Sequence, residues 1–127
     1  MKLKTINLAQ AFSSFNEYWS PRVGGDINDF QIKLAKFRGE FNWHHHANED
    51  ELFLVVQGDL LMKLKPENGG DQLVRAGEYI VVPRGVEHCP TALSEEVHCI
   101  LFEPNTTLNT GNTSNERTVS DLARVAG

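Results

Sequence analysis

The chain has only two cysteines, Cys89 and Cys99, and no CxxC pair. That excludes a zinc ribbon, a thioredoxin-type redox motif and a disulfide-stapled scaffold, and leaves both thiols as buried or half-buried groups. Long apolar runs are missing too. Nowhere do about 18 consecutive apolar residues occur, and the opening "MKLKTINLAQAF" has charge without the apolar centre of a secretion signal. A soluble cytoplasmic protein with no membrane partner is expected, in which the sequons at Asn105 and Asn112 carry no meaning. Clustered positive charge is equally absent. Lys2, Lys4, Lys33, Lys36, Lys63 and Lys65 are scattered and the net charge is -5, which excludes nucleic acid as a partner.

What is present suits one compact domain. With 127 residues, 40% hydrophobic and 23% charged, the chain resembles ordinary globular sequence and has no room for a second core. Helical periodicity is confined to "NLAQAFSSFNEYW", residues 7–19, where Leu8, Ala11, Phe12 and Phe15 follow Asn7 as N-cap and Pro21 stops the helix. From Asp29 the period becomes two. Strands are predicted over 30–37, 40–46, 51–57, 59–65, 72–76, 79–83 and 97–103, separated by Gly, Pro and Asn turns. Short strands in close succession favour a sandwich, jelly roll or barrel, with its core over about 30–104. The Asn/Thr-rich segment from 105 is read as an arm lying on the barrel or a partner, or as mobile, and residues 119–127 as a helical turn capped by Ser120.

The chemistry concentrates in "EFNWHHHANEDELFLVVQGD", residues 40–59. In a strand, side chains two apart share a face, so His44 and His46 point one way and Trp43 and His45 the other. Glu51 opens the next strand on the face of Phe53 and Val55, which turns it inward. An inward carboxylate is costly unless it is paired or binds a metal, and two inward imidazoles beside it meet that need. Residues 40–59 alone would also allow a solvated His-rich loop, as the lesser alternative. "GEYIVVPRGVEH", residues 77–88, weighs against that, because Pro83 and Gly85 form a rigid turn that fixes where His88 emerges.

Together the patterns HxHxxxxExxxxxxG (His44, His46, Glu51, Gly58) and GxxxxxPxGxxH (Gly77, Pro83, Gly85, His88) resemble the two motifs of the cupins. "WHHH", "DELFLVVQG", "GEYIVVPRGVEHCP" and the tail from Glu103-Pro104 to Gly111 are similar to small single-domain conserved-barrel cupins, a group often labelled mannose-6-phosphate-isomerase-like. The resemblance implies an all-β cupin double-stranded β-helix, a jelly-roll barrel, here with a short N-terminal helix. It also implies one divalent metal ion held inside the barrel by His44, His46, Glu51 and His88. Two departures stand out. Gly39 is one residue nearer the HxH than the motif's usual glycine, and Ala92 replaces an asparagine that is not a ligand.

Three imidazoles and a carboxylate suit Fe, Mn, Ni, Co, Zn or Cu, so the metal's identity stays open. If all four groups held tetrahedral zinc the site would be closed, whereas a six-coordinate metal would keep two positions for substrate, water or dioxygen. A metal-dependent enzyme on a small molecule is expected, such as a dioxygenase, isomerase or lyase. The alternative is a non-catalytic binding or sensor protein with a structural metal. A sugar-phosphate isomerase is disfavoured because no Gly-rich phosphate cradle appears and Arg84, in the turn, reads as solvated. The chamber walls are expected from Phe37, Phe53, Val55, Leu60, Met62 and Phe102. His98 is read as a strand histidine outside the site and Cys89 as pointing away from His88. A homodimer is expected, paired through residues 30–37 and the tail.

Overall fold

Alternation in "ELFLVVQ" and "VHCILFE" puts every second residue of two neighbouring strands into one interior, and the barrel is built on that pairing. The computed structural model describes residues 1–125. The helix α1 (Leu8–Ser13) precedes eight strands: β1 (Arg22–Ile27), β2 (Phe30–Phe37), β3 (Glu51–Gln57), β4 (Asp59–Leu64), β5 (Gln72–Arg75), β6 (Tyr79–Val82), β7 (His88–Ala92) and β8 (Val97–Pro104). One sheet has the order β1-β2-β8-β3-β6 and the other β5-β4-β7. All the pairings between these strands are antiparallel. The result is the all-β jelly roll with a short N-terminal helix that the sequence implied.

Between the sheets lies a core of Ala35, Phe37, Phe53, Val55, Leu60, Met62, Val97, Cys99 and Leu101. Leu60 and Met62 are wholly buried. Each such side chain contributes ~1.5–3 kcal/mol relative to leaving it in water. A second cluster, of Ala11, Phe12, Phe15 and Leu34, covers the outer face of β2.

Four expectations need correction. The helix ends at Ser13 rather than continuing to residue 19, because the Ser13 and Ser14 hydroxyls hydrogen-bond the carbonyls of Gln10 and Ala11 and compete with the helix. Its N-cap is the expected Asn7, whose Oδ1 accepts from the Gln10 amide at 3.0 Å.

Residues 40–46 form no strand, only isolated bridges at Glu40–Thr91 and His44–His88. The cause lies opposite. Pro90 accepts from the Phe41 amide at 3.0 Å but has no N–H to return the bond, so the ladder is broken between the two bridges.

Phe102 faces outward, its ring 5.0 Å from that of Phe30, because Val97, Cys99, Leu101 and Glu103 take the inward positions of β8. Within the chain β2 lies between β1 and β8.

The tail lies on the barrel. Asn112 and His45 are joined by two hydrogen bonds, and Asn109 Nδ2 donates to the carbonyls of Trp19 and Arg117. No helical turn forms in the described part of 119–127; Ala123 and Val125 instead hydrogen-bond Val23 of β1, while residues 126–127 lie outside the described residues.

Candidate metal centre

The Pro83–Gly85 turn organises the site from both sides. Its Gly85 has φ +81°, which a residue with a Cβ would adopt only under strain, and its amide donates to the His46 carbonyl at 2.8 Å. Arg84 ties the same turn to the segment before β3: its amide and guanidinium hydrogen-bond Asp50. Arg84 itself stays at the surface, its side chain 63% exposed. Three residues on, His88 opens β7 and exchanges backbone hydrogen bonds with His44, 3.0 and 2.9 Å long. One turn therefore sets the height of two imidazole-bearing residues.

His44, His46 and His88 each offer a ring nitrogen to a common point, and these atoms lie within 4.8 Å of one another. All three are buried, as is Glu51. Glu51 Oε1 stands 3.3 Å from His46 Nε2 and 3.4 Å from His88 Nε2. Nδ1 of His44 and Nδ1 of His88 each lie 2.9 Å from a backbone carbonyl, of Asn42 and Val86 respectively. A carbonyl only accepts, so both Nδ1 atoms carry the proton and both Nε2 atoms turn a bare lone pair inward. This outer hydrogen bond is what metal-binding imidazoles use to fix tautomer and ring orientation.

The inward atoms are not satisfied by protein. His46 Nε2, His88 Nε2 and Glu51 Oε1 are buried and have no hydrogen-bond partner among the described residues. Each such orphan costs ~1–3 kcal/mol, and bare imidazole nitrogens beside a carboxylate oxygen repel it as well. A divalent cation at their centre removes both costs, so the donor set fits a metal. Burial, with His88 as the second cause, lowers the His44 pKa to about 4, which keeps this imidazole in the neutral, metal-competent form.

The other sequence-singled residues fall around this centre. His45 points outward, its Nδ1 3.1 Å from Glu87. Trp43 is at the surface under Lys65, whose Nζ lies 4.2 Å from the ring centre. Glu49 accepts from the Thr106 hydroxyl, and His98 stacks on Phe12 and contacts Glu96, all away from the metal-capable cluster. Cys89 is buried with Sγ 3.7 Å from the Phe41 carbonyl.

Three residues escaped the sequence reading. Trp19 has φ +60° and stacks its indole between Phe37 and Phe41, at 4.4 and 4.5 Å. These rings, with Phe53 and Leu101, wall a cavity of about 30 Å³ that reaches His44 and Glu51. The other two are Lys33 and Glu103, an ion pair at 2.9 Å with both side chains 2% exposed. The Glu103 carboxyl adjoins that of Glu51, and its Oε2 is buried with no hydrogen-bond partner among the described residues. Burial and the adjacent Glu51 charge push the Glu103 pKa well up, against the pull of Lys33. Glu51 goes the other way. Burial opposes its ionisation, but the adjoining Glu103 carboxyl holds it well below the usual range.

Comparison with known proteins follows the same outline. The profile of the cupin domain matches residues 32–103, more than half of the sequence. The chain is a cupin. Among solved structures, this cupin is similar to a cupin-2 domain containing protein from Shewanella frigidimarina, with 45% identity and a TM-score of 0.73 over 79% of this chain and 94% of that one. It is 38% identical to the uncharacterized protein YdbB of Bacillus subtilis over 50% of this chain and 54% of that protein. It is 25% identical to 3-hydroxyanthranilate 3,4-dioxygenase 2 of Aspergillus fumigatus over 68% of this chain and 47% of that enzyme. The cupin spans about half the length of these curated relatives. None of its described helices is long and apolar enough to cross a membrane.

Proposed function

We propose that this cupin binds one divalent transition metal through His44, His46 and His88, with Glu51 as fourth ligand, and works as a metal-dependent enzyme on a small molecule. The observation that carries the reading is the group of orphaned inward atoms, His46 Nε2, His88 Nε2 and Glu51 Oε1. A metal bound there would supply a Lewis acid and, if redox-active, electron transfer with dioxygen. The chain's own part is to hold two imidazoles as Nδ1–H tautomers, to keep His44 neutral and to exclude bulk water with Trp19, Phe37 and Phe41.

A cavity of about 30 Å³ has room for a water or a dioxygen-sized molecule. The partial likeness to a dioxygenase favours oxygen chemistry over isomerisation. Elemental analysis of the purified protein is the test. About one metal per chain is expected, falling to a trace in His46→Ala and His88→Ala; His46→Ala with full metal would overturn the ligand assignment.

The tight aromatic closure also favours a second reading, a non-catalytic ligand-binding or sensor cupin whose metal is structural. Spectra of the iron- or nickel-loaded protein separate the two. A change on adding azide or dioxygen marks an open coordination position, and no change marks a closed structural site.

A further inference from the structure

The cavity that reaches His44 and Glu51 is walled by two kinds of residue. Phe37, Phe53, Pro90 and Leu101 belong to β2, β3, β7 and β8 and are fixed by the sheets. Trp19 belongs to the connection between α1 and β1. Its indole is sandwiched between Phe37 and Phe41, 4.4 and 4.5 Å from their ring centres and tilted only 12° and 17° from their planes. Nε1 donates to the Arg38 carbonyl at 2.9 Å. This slot leads on to the metal-capable cluster, because Phe41 meets the His44 ring edge-on at 5.5 Å and Phe53 meets that of His88 at 6.0 Å.

The indole is held in its seat against a cost. Trp19 has φ +60°, a left-handed conformation in which a bulky aromatic residue is an outlier, and which persists only where the surroundings impose it. Those surroundings include the tail. Asn109 Nδ2 donates to the Trp19 carbonyl at 3.2 Å, and the Arg117 guanidinium lies 6.0 Å from the Trp19 ring centre and 5.4 Å from that of Phe41. Arg117 is anchored in turn on the Glu40 carbonyl at 3.0 Å. A wall held by a strained loop residue, a side-chain amide and a cation belongs to the low-stability end of a molecule, from which moving binding elements are drawn.

We infer that the slot filled by the Trp19 indole is a ligand-binding site. A planar aromatic molecule carrying an N–H or O–H donor takes the indole's place between Phe37 and Phe41, and the tail, through Asn109 and Arg117, is the latch that keeps Trp19 seated until it does. Planarity is required by the two flanking rings, which leave a flat gap. The donor is required by the Arg38 carbonyl, which loses the indole N–H when Trp19 leaves. That the ligand is a substrate rests on the metal reading above; the slot itself does not.

Phenol and cyclohexanol, alike in size and hydroxyl but flat and puckered, test this. They are titrated into the metal-free full-length chain carrying Trp43→Phe, which leaves Trp19 as its only tryptophan. Phenol is expected to give a saturable red shift of Trp19 emission and easier quenching by acrylamide, as the indole moves into water. Cyclohexanol should bind about tenfold more weakly. Freeing the latch raises the fraction of open chains, and apparent affinity rises with it. Asn109→Ala and Arg117→Met should each therefore bind phenol about 3–10-fold more tightly, the worth of one such contact. Trp19→Gly adopts φ +60° without strain and vacates the slot, so by calorimetry it should bind phenol more tightly still. Circular dichroism checks that each variant is folded. The inference is overturned by phenol that leaves Trp19 emission unchanged, by cyclohexanol that binds as well as phenol, by folded latch variants no tighter than wild type, or by a folded Trp19→Gly that does not bind phenol. Cobalt(II) uptake by the same chain separates the two readings: uptake without a phenol response removes the slot and leaves the metal reading, and a phenol response without uptake does the reverse.

Discussion

His44 and His88 face each other as a hydrogen-bonded pair, amide to carbonyl at 3.0 and 2.9 Å, with their rings 4.3 Å apart. Two of the three imidazoles are thereby locked by backbone before any metal arrives. Replacing either should cost more in affinity than in fold. His88→Ala is expected to lower affinity for a divalent metal by at least about 100-fold, beyond the range for outer-sphere changes, while leaving a folded chain. A competition titration checks this, and affinity within tenfold of wild type would remove His88 from the site.

Metal should also be a stabiliser. A ligand that binds only the folded state adds about 2.7 kcal/mol at one hundred times its dissociation constant. For a domain of this size that is a rise in Tm of roughly 10 °C. Calorimetry with and without a chelator should show the difference, and His46→Ala should abolish it.

Stability of the metal-free protein should fall in mild acid. His44 has a pKa of about 4 in the fold against an ordinary 6.5. Between those values the unfolded chain binds the proton and the folded chain does not, so unfolding gains ground as pH drops. His44's contribution is full above pH 6.5 and is lost progressively toward pH 4, about 3 kcal/mol in all. Urea titrations at several pH values, on wild type and His44→Gln, test the sign: the gap between them should narrow in acid. A constant gap would contradict it.

The tail should matter to the site despite its loop-like composition. Gly111 has φ +58°, and a Cβ there would stand 2.3 Å from the His45 carbonyl oxygen and 2.8 Å from His44 Cδ2. Gly111→Ala is therefore expected to destabilise the fold by about 2–3 kcal/mol and to weaken metal binding together with it. Equal stability in denaturant would show that the tail can lift away at no cost.

Six strands were legible because alternation with flanking turn residues survives folding: β2 and β3 match the predicted ranges and β4, β5, β6 and β8 differ by one residue at an end. β1 was not legible, since "RVGGDI" carries two glycines and an aspartate and forms by pairing with β2 around a bulge between Val23 and Gly25. Pro90 hid β7 and broke the strand expected over 40–46. At the site, the convergence of His44, His46 and His88 beside Glu51 could be read from HxH parity and the Pro83–Gly85 turn. Glu103 could have been found by the same parity, as the inward continuation of Val97, Cys99 and Leu101. Lys33 could too, since it shares the face of Ala35 and Phe37 in the strand predicted over 30–37. The docking of the tail uses asparagine and backbone hydrogen bonds, which leave no hydrophobic period to read.

The missing Pro90 amide gives the histidine segment an unusual mechanical status. Between Glu40 and His44 it is held to β7 by a discontinuous ladder, whereas β2 and β8 in the other sheet pair without interruption. Such a segment can open on its own while the barrel stays closed, and a metal gripping His44, His46 and His88 would fasten it across the gap. Occupancy of the site would then be written into the amide exchange of residues 41–46, slow when loaded and fast when empty, with the rest of the protein as its internal clock.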